Sequence, residues 1–340
     1  MRITYRMMTS KYSTNLNSLS SDLDKLNTQV ATGRKYAKTS EDVSSAVRGY
    51  QIRRNLAKVE GYQDNIKHAD GFLTNSETTL GQIESSLAEA TDKILQGMNG
   101  TTSEGDRKII ASELRTIQTQ LLETLNTDVT GMYLFGGTNN QKPFSLDSST
   151  GKLQYNGVNL DDLVEGSSEA NKLENDSMYV DIGLGVKFDE STGEVDRNSV
   201  FNYSFPGLSI VGMGKNSTAI SGEDVSNNLY DLLGRVATEF EKENDQYSFD
   251  KVDSLYGLFK ENSLKAYQAT TEIGAKTQYL EFMSNRYETQ NFNLEERQTE
   301  VEGVDAAYTY IAFQSQKVAY QAALQMGSSV VQQSVFDYMS

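Results

Sequence analysis

Cysteine and tryptophan are absent from the 340-residue chain, which holds one histidine and two prolines. Without cysteine there is no disulfide framework, no thiolate zinc or iron–sulfur site and no thiol nucleophile. A lone His68 excludes any site that needs two imidazoles. No apolar run approaches the roughly 18 residues of a membrane-spanning helix. The opening MRITYRMMTSKYSTNLNSL lacks the apolar stretch and small-residue cleavage site of a secretory signal. Positive charge is short as well: 31 basic against 47 acidic side chains leave a formal net charge of −16. That balance argues against general nucleic-acid binding, which needs a cationic surface to displace counterions. Large apolar residues are thin, Leu, Ile, Val and Phe together numbering 77, just above the level at which a strongly charged chain stays unfolded. These absences point away from cofactor or metal chemistry and toward a structural protein whose apolar surface is completed by neighbouring molecules.

What is present is unevenly placed. Residues 143–262 hold 22 acidic against 9 basic groups, most of the net charge, whereas residues 1–40 hold seven basic and two acidic. Ala306 to Phe336 carries a single charge, Lys317. Both prolines, Pro143 and Pro206, and 13 of the 26 glycines fall in the centre. The length suggests two domains or a little more, and the pattern is two proline-free arms around a Gly-rich acidic insert.

The arms read as helices. Leu16, Leu19, Leu23, Leu26 and Val30 repeat at steps of three and four and stop at Gly33. Thr39-Ser40-Glu41-Asp42 offers cap groups, and a second pattern starts at Val43. Leu73, Leu80, Ile83, Leu87, Ala90 and Ile94 keep a heptad seam until Gly97 to Gly105, and Ile110, Leu114, Ile117, Leu121 and Leu125 form a third set. In the C-terminal arm a seam of period 3.5 runs from Leu280 to Gln325 through Val304, Tyr308, Ile311, Val318 and Ala322, which implies supercoiling around a partner. A continuous helix from about Leu255 to Gln325 would be roughly 100 Å long. Gln290, Arg297, Ser315 and Gln325 weaken that seam, so the two arms are expected to pack antiparallel, with outer faces left for other subunits.

The insert reads as strands at 132–135, 152–155, 178–182 and 200–205, with an Asn156-Gly157 turn and a helix over 224–243. The fold class is therefore α+β: a long antiparallel helical bundle or coiled-coil rod with a β-rich insert. Its expected divisions are terminal segments 1–42 with 304–340, a helical region 43–131 with 250–303, and an acidic outer domain 132–249.

Candidate chemistry does not survive inspection. Gly212-Met-Gly-Lys-Asn-Ser-Thr218 places Ser209 and Asn216 where a phosphate loop needs Gly and Ser or Thr, so it reads as a turn after a strand. Ile182-Gly-Leu-Gly-Val-Lys-Phe188 has Phe188 in place of the third Gly of a dinucleotide loop and also reads as a turn. Asp161-Asp162 and Glu241, Glu243 and Asp245 read as solvated acidic faces, Asn75-Ser76-Glu77 as a polar helix face, and His68 as a surface or interface residue. The stretch 306–336, with one charge in 31 residues, is hard to bury in one slender subunit and suggests ordering on association.

Two sets of residues resemble a known family. Asn15 to Ser20, Ala31-Thr-Gly-Arg-Lys35, Thr39 to Asp42, Tyr62-Gln-Asp-Asn-Ile66 and Leu73 with Glu77 and Leu80 resemble the flagellin N-terminal region. Gln96 to Thr101, Asp106-Arg107, Ala111 to Leu114 and, above all, Gly131-Met-Tyr133-Leu134-Phe135-Gly136-Gly137 with Pro143-Phe144 resemble its hook-associated protein 3 branch. Asn285-Arg286, Asp305 to Ala307, Lys317 to Ala323 and Ser334 to Tyr338 resemble the paired C-terminal region. Val43-Ser44 and Val335-Phe336 depart from the family pattern, in ways that still suit helices.

The resemblance implies a non-enzymatic junction protein of the bacterial flagellum, outside the cell, exported through the type III apparatus without a cleaved signal. It implies a ring of like subunits, held by Leu16, Leu19, Leu23, Leu26, Val30, Val304, Tyr308, Ile311, Val318, Ala322, Leu324 and Phe336. The implied partners are hook-associated protein 1, flagellin, the filament cap protein and an export chaperone at the C-terminal segment, with no nucleic acid, membrane or cofactor. A flagellin-type filament subunit and a secreted coiled-coil adhesin are the alternatives.

Overall fold

The computed structural model describes residues 5–189, 193, 195–220 and 223–331, and the chain divides into two compact units, residues 1–60 with 288–340 and residues 61–287. Eight helices are described: α1 (Tyr5–Thr32), α2 (Val43–Met98), α3 (Glu104–Leu125), α4 (Ser168–Glu174), α5 (Leu208–Val211), α6 (Leu229–Phe240), α7 (Phe249–Glu302) and α8 (Ala306–Val331). Both α2 and α7 contribute residues to each unit.

In the first unit α1 and α8 run antiparallel. The Tyr12 hydroxyl donates to the Ala323 carbonyl at 2.8 Å, and Arg34 and Gly303 pair as an antiparallel bridge at the other end. Leu16, Leu19, Leu23 and Leu26 form the half-buried stripe of α1, as steps of three and four require. Gly327 admits the Tyr12 ring, whose hydroxyl a Cβ there would overlap.

The expected single helix from Leu255 to Gln325 is corrected: it is two helices, interrupted at 303–305. The reason is a competing pairing. The Val304 N–H donates to Gly33 O at 3.0 Å and the Lys35 N–H donates to Glu302 O at 2.7 Å, so backbone groups that would continue α7 are spent on the 33–42 linker. Asp42 then caps α2, accepting from the Ser45 N–H at 3.0 Å.

In the second unit α2 and α7 are again antiparallel, with Thr270 Oγ1 donating to Glu84 at 2.6 Å and the Tyr62 and Tyr287 rings 5.5 Å apart. The seam read from the sequence is the core: Leu73, Leu80, Ile83, Ala90 and Ile94 are fully buried, with Phe259, Ala266, Ile273 and Leu280 of α7. Helix α3 starts where Ser103 accepts from the Asp106 N–H, and its apolar face, from Ile110 to Leu125, is buried. Against α3 lies α6, whose Phe240 ring occupies the space left by Gly97, 2.5 Å from where a Cβ would sit.

The insert is built from very short strands. They are β1 (Asp128–Val129), β2 (Met132–Tyr133), β3 (Phe144–Leu146), β4 (Leu153–Tyr155), β5 (Val158–Asn159), β6 (Tyr179–Val180), β7 (Phe201–Asn202), β8 (Lys215–Ile220) and β9 (Glu223–Ser226). They pair antiparallel as β1–β2, β3–β4–β5, β6–β7 and β8–β9. Two hairpins turn at Thr130-Gly131 and Asn156-Gly157, all four residues with positive φ, the geometry that two-residue loops favour. The predicted strands shrink, and the helix expected over 224–243 starts only at Leu229, because Glu223–Ser226 pairs with β8 and Asn228 caps the helix instead.

Two further expectations change. Asp161 is not part of a solvated face; it is buried and ion-paired with Lys152. Ser76 is buried too, its hydroxyl returning to Phe72 O at 2.9 Å, so the polar face at 75–77 is interrupted.

Candidate assembly surface

Among the described residues no cluster of His, Asp or Glu could hold a metal ion, and no helix is long and apolar enough to cross a membrane. The two glycine-rich segments are turns. Gly212 and Gly214 have φ of 87° and 79° and connect α5 to β8, so the turn follows a short helix rather than a strand. Gly183, at φ 83°, sits where a Cβ would overlap the Tyr287 hydroxyl and come within 2.9 Å of the Tyr62 ring.

The Tyr133 to Phe144 motif forms a knot at the root of the insert. Leu134, Phe135, Gly136, Gly137, Pro143 and Phe144 are buried, while Gly131 is exposed and Tyr133 half-buried. The Phe135 carbonyl accepts from the Tyr155 hydroxyl at 3.0 Å and from the Gly207 N–H at 2.9 Å. Burial pushes the Tyr155 phenol well above its ordinary pKa. The Asn126 amide brackets Phe144, accepting from its N–H at 2.9 Å and donating to its carbonyl at 3.0 Å. The Phe144 and Tyr155 rings lie 5.0 Å apart. Gly137, at φ 66°, lets Asp176 O approach to 2.5 Å of a would-be Cβ, and Thr138 donates to Asp176 at 2.6 Å. The motif thus closes the chain on itself and offers little side chain to a neighbour.

The terminal helices do the opposite. On α8, Tyr308, Ile311, Val318 and Leu324 are 72%, 68%, 63% and 45% exposed; Ala322 is exposed and Val304 half-buried, as are the four leucines of α1, with Val30 exposed. Phe336 lies outside the described residues. The residues of α8 turned inward are Thr309, Ala323 and Gly327 and their neighbours, so the heptad seam of the last arm lies on the open face. Apolar side chains left exposed in such a row make this face the candidate interaction surface.

Sequence reasoning missed the joint that ties the helix pairs of the first unit together. Glu302 is buried at the end of α7 and ion-paired with Arg53 of α2. Its carboxylate also accepts from the Tyr36 hydroxyl at 3.3 Å and from Gln298 at 3.3 Å. Burial, with the Glu302 charge beside it, pushes the Tyr36 phenol up. Lys35 Nζ donates to Glu300 O at 2.9 Å, and Gly49 is where a side chain would overlap Glu302. The only signal was a glutamate before Gly303, indistinguishable from the many solvated acids around it. The Tyr62–Tyr287 clamp on the insert was equally silent.

Comparison with known proteins places similarity at the N-terminal arm. A model described as the bacterial flagellin N-terminal helical region matches residues 3–140. Over residues 3–140, then, the chain is similar to flagellin N-terminal regions. A flagellar hook-associated protein 3 of Salmonella typhimurium is 29% identical over 153 residues, covering 44% of this chain and 48% of the relative. The matches span about half the length of the curated relatives. Among solved structures, a Vibrio parahaemolyticus chain assigned as a flagellar hook-associated protein superposes with a TM-score of 0.59 at 21% identity, covering 77% of this chain and 100% of that one. The flagellar junction protein FlgL of Legionella pneumophila gives 0.51 at 15% identity, covering 76% and 100%. At such identities the structures establish the fold alone: long N- and C-terminal helices paired around an insert of short strands.

Proposed function

We propose that the chain is a structural junction subunit connecting flagellar hook to filament, and not an enzyme. The observation that carries the reading is the joining of a flagellin N-terminal region to the buried Tyr133–Phe144 knot, in a chain whose curated relatives are flagellar hook-associated proteins 3. Apolar exposure along α8 supports assembly: rows of unpartnered side chains on terminal helices suit layers completed by other subunits. On this reading like subunits form a ring outside the cell, with hook-associated protein 1 on one side and flagellin, with the cap protein during growth, on the other. Export through the flagellar type III apparatus suits a chain without cysteine, since no disulfide obstructs threading. A chaperone would hold the nearly uncharged segment 306–336 until assembly. The interface residues are Leu16, Leu19, Leu23, Leu26, Val30, Val304, Tyr308, Ile311, Val318, Ala322 and Leu324, with Phe336 beyond the described part.

The test is removal of either end in cells. Chains lacking 1–40 or 306–340 are expected to be made as folded remainders that no longer join filament to hook, leaving non-motile cells. Normal motility from either truncation would overturn the reading. The flagellin region also suits a filament subunit; long filaments formed by the purified chain alone would favour that second reading.

A further inference from the structure

The first unit carries an apolar groove whose walls belong to the start of α2. It has a volume of about 590 Å3, and its lining includes Val43, Ala46, Val47, Tyr50, Arg53 and Arg54. Val43, Val47 and Tyr50 are 65%, 54% and 64% exposed and fall with Arg54 at steps of four, three and four, on one stripe of the helix. Arg53 is engaged by Glu302, whereas Arg54 is exposed and has no ion pair among the described residues. The groove is therefore an apolar floor with a cation at one end.

The complementary feature lies on the same chain. Phe292 of α7 is 68% exposed, and one turn before it stands Glu288, also exposed and without an ion pair among the described residues. This is an aromatic anchor with an acid one turn toward the N-terminus; the groove is an apolar slot with a base one turn toward the C-terminus. The two fit only when the helices run antiparallel. Within one chain α2 and α7 are antiparallel, so copies related by rotation about an axis running along the helices, as in a ring of upright rods, bring α2 of one against α7 of the next in that same sense.

We infer that the α2 groove receives α7 of a second copy of this chain, Phe292 seating between Val47 and Tyr50 and Glu288 meeting Arg54. The inference rests on the junction reading for its ring. The contact is heterologous, different patches on the two faces, the kind that generates rings or helical assemblies rather than closed pairs. Phe292 supplies the buried area, as aromatic anchors do at interfaces, and the Arg54–Glu288 pair fixes direction more than affinity.

Because the chain has no cysteine, the contact can be trapped without background. Full-length chain carrying both Tyr50→Cys and Phe292→Cys, recovered from intact flagella and mildly oxidised, is expected to give a ladder of covalent multimers, and an equal mixture of the single variants to give dimers only. Monomer alone from flagella that contain the chain at the junction would overturn the inference while leaving the junction reading intact; parent chain absent from the junction would overturn that reading instead. A second arm covers variants that do not incorporate. Arg54→Glu or Glu288→Arg is expected to lower the retained chain about threefold each, the usual scale for one exposed charge pair, and the double reversal to restore it. Absence of restoration would overturn the pairing.

Discussion

The Tyr287 hydroxyl donates a 2.8 Å hydrogen bond to the Ile182 carbonyl, tying the insert to the helix pair that carries it. Around this bond Asn65 donates to Asp181 O at 2.8 Å, Ile182 is fully buried, and Tyr203 sets its ring edge-on to Phe72 at 5.5 Å. The insert is thus braced along α2 and α7, not only joined through its two ends.

Loss of this brace is measurable. Tyr287→Phe removes one hydrogen bond and is expected to cost about 1 kcal/mol in urea unfolding of the full chain. Gly183→Ala should cost more, because it adds a side chain at positive φ against both tyrosines. Faster amide exchange at 181–183 in either variant would accompany the loss; equal stability of parent and Gly183→Ala would contradict the brace.

The Glu302 joint makes a second prediction. Glu302→Ala strips a buried carboxylate from Arg53, Tyr36 and Gln298 and is expected to cost about 2 kcal/mol. That is less than a wholly buried pair, since the Arg53 side chain is 41% exposed. The direct readout is proteolysis: the 33–42 linker should be cut faster in the variant. Unchanged cleavage would show that the joint is held by its backbone pairing alone.

At the root of the insert, Phe144→Ala should destabilise by about 3–5 kcal/mol, the range for deleting a buried aromatic ring. Gly207→Ala is expected to fail for the opposite reason, its Cβ meeting the Phe144 ring at 2.6 Å. Calorimetry of the two variants checks both; tolerance of Gly207→Ala would contradict the close packing there.

Acidity provides a fourth test. Burial pushes the Asp231 carboxyl above its ordinary 3.8, the Asp161 charge adding to this and the Asn228 hydrogen bond opposing it. The folded chain therefore holds that proton more tightly than the unfolded one. This contribution is fully present below the unfolded value and is lost as pH rises through the folded one. Asp231→Asn, fixed in the neutral form, should be the more stable chain at about pH 7, with the gap closing toward about pH 4. Glu223 and Glu241, held below the usual range by hydrogen bonds from Lys251 and Arg115, weaken both chains alike in acid and cancel in the difference. A gap that widens in acid would contradict the assignment.

The helices of the second unit were legible because their seams bury what the spacing says they bury: Leu73 to Ile94 and Ile110 to Leu125 are core. The hairpin turns at Asn156-Gly157 were legible because few residue pairs accept positive φ twice. The break at Gly303 was not, since the heptad spacing runs through it unchanged and only a distant partner, Gly33, takes the hydrogen bond. Asp161 was misjudged because the groups that pair with it, Lys152 and Asn228, lie outside the acidic stretch in which it was read. Of the candidate surface, the open row on α8 was visible as a stretch with a single charge, whereas Glu302 and Tyr287 act through contacts more than 100 residues away and leave no local pattern.

The most direct measurement is the position of the protein on intact flagella, by gold-labelled antibody in electron microscopy. The account predicts label confined to a narrow band between hook and filament. Label spread along the filament, or none on the flagellum, would contradict it.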